Sequence, residues 1–139
     1  MLLRPQEKRF KKERKGKIKG IVFEKVSFGK FGLKAMANGR LTARQLEASR
    51  IAISKRIKGF GKLWIRIFPD VPVSQKPNEN RMGRGKGAVS FWVSKIRMGK
   101  IIYEIDGNIS SKKMLEIKRV VSAKLSLPIA LVSLSYFNL

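Results

Sequence analysis

The residues best suited to chemistry lie in one stretch, Arg81-Met82-Gly83-Arg84-Gly85-Lys86-Gly87. Cations alternate there with glycines, and no acid interrupts them after Glu79. Arginine offers a planar fork of donors that matches phosphate, and lysine a point charge. Glycine lets the main chain approach a partner closely. The combination suits contact with a nucleic-acid backbone from a loop held out from a sheet. A solvated, flexible hairpin tip that happens to be basic is the alternative. It is not a nucleotide-binding P-loop, because Lys86 is followed by Gly87 rather than Ser or Thr.

Other chemistry is poorly supplied. The chain has no cysteine and no histidine. That excludes disulfides, thiolate and imidazole metal sites, Cys or His catalysis, and zinc fingers. Glu104 and Asp106 are the one close carboxylate pair, at a hairpin end and on one face by alternation. Without His, Cys or a metal set, neither catalysis nor a cofactor nor a metal is expected.

The chain has 139 residues, enough for one domain with a real core. Net charge is +23, from 32 Lys+Arg against 9 Asp+Glu. Such a domain repels itself unless a polyanion neutralises it, nucleic acid first and an anionic membrane second. Hydrophobic content of 43% separates it from a disordered basic tail. No apolar run is long enough to span a membrane. Met1-Leu2-Leu3 is followed at once by charge, which leaves no signal-peptide h-region.

Several elements must position these cations. Residues 1–19 read as an extended basic arm, disordered when free, ahead of a single domain over 20–139. From residue 4 the arm carries Arg4, Lys8, Arg9, Lys11, Lys12, Arg14, Lys15, Lys17 and Lys19 against Glu7 and Glu13. A mitochondrial presequence is also basic, but this arm has two glutamates and no serine. Residues 20–37 read as strands, with Ile21, Phe23, Val26, Phe28, Phe31 and Leu33 alternating around a turn or bulge at the Phe-Gly pairs. These phenylalanines are expected in the core; stacking on bases would need exposure.

Asn38-Gly39 marks a turn. Thr42 and Gln45 then form a capping box, with Leu41 and Leu46 as its hydrophobic staple. Ala43, Leu46, Ile53 and Ile57 share one helix face, and Gly59 closes the helix. Arg50 falls in the apolar stripe, where Glu47 can pair with it. Arg44, Lys55 and Lys58 occupy the opposite face with few acids to balance them. Leu63–Phe68 reads as a strand, and Pro69, Pro72 and Pro77 as an irregular extended segment. Residues 88–97 and Ile101–Ile105 read as a hairpin turning at Met98-Gly99, with Ile101, Tyr103 and Ile105 alternating. A second helix starts near Ser110 or Ser111, uses Met114, Ile117, Val121 and Leu125, and stops before Pro128. Ile129–Phe137 reads as a last strand. The expected class is α+β, two helices on a mixed or antiparallel β-sheet of about six strands.

These residues carry a resemblance to the bacterial-type large-subunit ribosomal protein family numbered sixteen, related to ten-e of archaeal and eukaryotic ribosomes. It rests on Val26–Gly29 with Phe31–Ala35, on Gly39–Ala48, on Gly61–Asp70, on Arg81–Gly87 and on Tyr103–Gly107. It runs in order from about Arg4 to about Leu131. Two departures stand out. Ile51 replaces an arginine usual in bacterial members, and residues 132–139 are more apolar than a typical family C-terminus.

The resemblance implies a structural constituent of the large ribosomal subunit rather than an enzyme. It implies rRNA contacts near the aminoacyl-tRNA site through the arm (Lys8, Arg9, Lys11, Lys12, Arg14, Lys15, Lys17, Lys19) and the first helix with its approach (Arg40, Arg44, Lys55, Lys58). It places Arg81, Met82, Gly83, Arg84, Gly85, Lys86 and Gly87 toward the aminoacyl-site tRNA. Neighbouring ribosomal proteins are the other partners; no homo-oligomer is expected. A free-standing basic RNA-binding module is the rival, but no standard recognition motif supports one. A membrane-surface protein would need an amphipathic helix without a sheet. Abundant isoleucine and lysine suggest an AT-rich genome, and an organelle-encoded mitochondrial protein is the expectation, with plastid or bacterial cytoplasm as alternatives.

Overall fold

The computed structural model describes residues 4–7 and 11–134. Lys8 and Arg9 of the arm, and the expected last strand beyond Leu134, lie outside the described residues. The elements run β1 (Phe31–Ala35), β2 (Gly39–Thr42), α1 (Ala43–Ile57), β3 (Gly61–Ile65), β4 (Val71–Gln75), β5 (Ala88–Ile96), β6 (Ile101–Gly107), α2 (Ser111–Ser122) and β7 (Ile129–Ser133). The class is α+β, as expected.

The sheet is not single. Four strands pair in the order β3-β6-β1-β7 and three in the order β2-β5-β4, all antiparallel. Met98-Gly99 is therefore no hairpin. β5 and β6 belong to different sheets, and so do β1 and β2. Since β1 pairs with β6 and β2 with β5, both ribbons leave one sheet for the other at the same corner. There Gly99 N–H donates to Ala35 O at 2.8 Å, and Met98 N–H to Asn38 Oδ1 at 2.6 Å. Gly99 has φ +88°, and a Cβ on it would sit 1.9 Å from Val22 O, so only glycine fits.

Four further expectations change. The proline-rich segment contains β4; Pro72 is tolerated because β4 is an edge strand. Of residues 20–37, only Phe31–Ala35 is a full strand before β2 begins, and Ile21 makes one isolated bridge to Met98. Phe23 and Phe28 are exposed rather than core. The alternation in β6 is broken by a bulge: Leu33 faces Tyr103, but Lys34 faces Ile101. Ile102 and Tyr103 both join the main core and Ile101 does not.

α1 follows its signals closely. The Thr42–Gln45 capping box is present, Leu41 and Leu46 are fully buried, and Gly59 has φ +81° just past the Lys58 cap. α2 is capped by Ser110 and buries Met114, Ile117 and Val121, but it ends at Ser122, so Leu125, expected on its apolar face, is buried just beyond the helix instead. The helices pack on each other, and their apolar faces share one core cluster with Leu33, Tyr103 and Ile105 of the four-stranded sheet.

Tyr103 ties this core to α1. Its hydroxyl donates to Leu46 O at 2.8 Å and lies 2.6 Å from Ser49 Oγ. Burial pushes its phenol up to about 12, with the Ser49 hydrogen bond acting the other way. An unfolded tyrosine ionises near about pH 10, so the unfolded chain gains first as pH rises. Stability present below about pH 10 is lost toward pH 12, by up to about 2–3 kcal/mol. Denaturant midpoints should fall more steeply over this window for the wild type than for Tyr103→Phe. Equal slopes would show that Tyr103 ionises freely in the folded state.

Candidate nucleic-acid interface

The glycine-basic loop connects β4 to β5 at one end of the three-stranded sheet. Asn78–Lys86 is exposed throughout, and Met82 is as accessible as an isolated side chain. Gly83, Arg84 and Gly85 all have positive φ, at +98°, +54° and +79°. For Arg84 that conformation is uncommon. Nothing stands within 4 Å of a Cβ placed on Gly83 or Gly85, so this left-handed turn faces open space. Lys76 Nζ donates to Gly83 O across the loop, and Asn80 N–H to Pro77 O at 3.1 Å.

The arm lies against this loop. Lys12 Nζ donates to Lys86 O at 2.9 Å, and Lys86 Nζ donates to Glu13 O at 2.5 Å. Glu13 also forms an ion pair with Lys95 of β5. Farther along, the Arg40 guanidinium donates to Lys15 O and, at 2.6 Å, to Gly16 O. Arg40 thus holds the arm's main chain. Lys11, Lys12, Arg14, Lys15, Lys17 and Lys19 are all exposed, so arm and loop form one cationic surface.

On α1 the exposed residues are Arg44, Ala48, Ile51 and Lys55, followed by Lys58 at the cap, a stripe at helical spacing. Arg44 lines a cavity with Gln75, Ser90, Phe91 and Trp92, at the stem of the loop. Lys55 lies about 16 Å farther along the axis, at 1.5 Å per residue. The structure therefore brings Arg44 to the loop side and leaves Lys55 and Lys58 at the other end of the helix. Arg50 is taken by Glu47, with contacts of 2.6–3.1 Å. The Arg50 hydrogen bond holds the Glu47 carboxyl below its ordinary value.

The sequence model of the family described as ribosomal protein L16p/L10e matches residues 5–132. The chain belongs to this family. Membership makes it a structural protein of the large ribosomal subunit, with rRNA and ribosomal proteins as partners, in a family that is generally non-enzymatic.

Sequence reasoning missed the residues that organise the surface. Glu13 was one of two acids in a basic run, yet it bridges arm, loop and β5. Glu104, the suspected half of a carboxylate pair, is fully buried. It accepts hydrogen bonds from Ser27, Phe28 and Gly29 N–H and pairs with Arg66. An acid at mid-strand between Tyr103 and Ile105 was the available signal.

Proposed function

We propose that the protein binds large-subunit rRNA beside the aminoacyl-tRNA site, that the arm and the α1 approach hold it there, and that the Arg81–Gly87 loop helps order that site for tRNA. The observation that carries this is the joining of loop and arm through Lys12, Lys86 and Glu13. It makes a single surface of exposed cations with glycine backbone at its tip. A core role for these residues is closed to them by exposure. The buried Glu104 is engaged in holding main chain, which argues against catalysis. Residues 1–19 act as an arm laid along phosphates, and the particle is a mitochondrial ribosome, a reading that rests on composition. Co-sedimentation with mitochondrial rather than plastid or bacterial large subunits tests the last point.

Affinity for a large-subunit rRNA fragment should fall steeply with salt. Each phosphate contact contributes a log–log slope of roughly −0.7 to −0.9, so about six contacts give about −4 to −5. Replacing Lys11, Lys12, Arg14, Lys15, Lys17 and Lys19 by alanine should flatten that slope. A nearly flat wild-type dependence would show that charge is not the binding determinant.

A further inference from the structure

The face of the four-stranded sheet turned away from the helices is crossed by residues 20–30. Both acids at this crossing point inward. Glu24 accepts from Ile101 N–H at 2.9 Å and lies 3.6 Å from Lys100 Nζ. Glu104 rises from β6 and gathers the N–H groups of Ser27, Phe28 and Gly29, at 3.1, 2.6 and 3.2 Å. Val26 is buried beneath the crossing. Outward point Lys19, Phe23, Lys25, Phe28 and Lys30, all exposed.

Phe28 is 59% exposed, yet it is held in place. Its ring stacks on Trp64, with centroids 6.3 Å apart and planes inclined by 22°. The Arg66 guanidinium lies 5.1 Å from the same ring centroid and pairs with Glu104. Trp64 is directly opposite Glu104 in register, so Phe28, Trp64 and Arg66 form one assembly over the buried carboxylate. A fixed aromatic face flanked by lysines suits an unpaired base: the ring stacks on the base and the lysines meet its phosphates. An apolar protein partner would gain nothing from the lysines.

We propose that Phe28, backed by Trp64 and Arg66, is a stacking ledge for an unpaired base of rRNA, a reading that rests on the rRNA binding proposed above. The test compares binding of the full chain to a short oligoriboadenylate and to an abasic ribose-phosphate chain of equal length. The wild type should prefer the base-bearing chain by about tenfold. Phe28→Leu should bind both equally, Phe28→Tyr should keep the preference, and salt dependence should be the same in all three. In a Trp92→Phe background, the base-bearing chain alone should quench Trp64 fluorescence, which gives an answer without altering Phe28. Equal wild-type binding to both chains, or a preference surviving in Phe28→Leu, overturns the ledge and leaves phosphate binding standing. Binding to neither chain at low salt overturns both readings.

Discussion

Replacing Glu104 by alanine should destabilise the fold by about 3–5 kcal/mol, the cost of breaking a buried ion pair from one side. The carboxylate is fully buried at the centre of β6. One oxygen accepts three main-chain N–H groups and the other meets Arg66. Alanine removes the acceptor of all three; the Gly29 donor is buried and the Ser27 and Phe28 donors partly so, and each unsatisfied buried donor costs about 1–3 kcal/mol. Glu104→Gln keeps the shape and one acceptor oxygen but not the charge, so it should fall between alanine and wild type. Arg66→Ala should cost less than Glu104→Ala, because Arg66 is 24% exposed and the three N–H bonds survive its loss. Urea midpoints give the order, and amide exchange at Ser27–Gly29 should accelerate most in Glu104→Ala. A Glu104→Ala protein within about 1 kcal/mol of wild type would mean that Val26 and the Phe28–Trp64 stack anchor the segment unaided.

Much of this fold is legible where its causes are local. Thr42, Gln45 and Gly59 delimit α1 because caps act within a few residues, and Ser110 starts α2 in the same way, though α2 ends at Ser122, short of Pro128. What fails is what depends on distant partners. Met98-Gly99 looks the same locally whether it closes a hairpin or turns a ribbon between sheets; pairing of β2 with β5 decides it. Pro72 counts against a strand until the strand is known to be an edge. Phe23 and Phe28 alternate like core residues, and only Glu104, about eighty positions along the chain from either, reveals which side faces inward. The same holds for the site. Cations declare themselves by type, so the loop and arm stand out in sequence. Their contact joins Lys12 to Lys86 over 74 positions and has no local signature.

Replacing Arg81, Arg84 and Lys86 together by alanine should leave the fold nearly unchanged and impair tRNA accommodation. All three are exposed, and none belongs to the core cluster. Surface changes of this kind usually stay within about 0.5 kcal/mol. Alanine at position 84 inherits the φ of +54° without adding to its strain. Lys86 loses its bond to Glu13 O, but the Lys12 bond to Lys86 O uses main chain and survives. Glu13 keeps Lys95, so the arm stays in place. Assembly into particles should therefore persist, since Lys11, Lys12, Arg14, Lys15, Lys17, Lys19, Arg44, Lys55 and Lys58 are untouched. Aminoacyl-tRNA binding should weaken by about tenfold or more, because a hydrogen bond to a charged group contributes about 1.5–3 kcal/mol and even one lost contact reaches that factor. Melting temperature, occupancy in purified large subunits and aminoacyl-tRNA binding separate the outcomes. Normal tRNA binding at full occupancy removes the functional role of the loop. A large drop in melting temperature shows instead that Lys86 and its clasp on the arm belong to the fold.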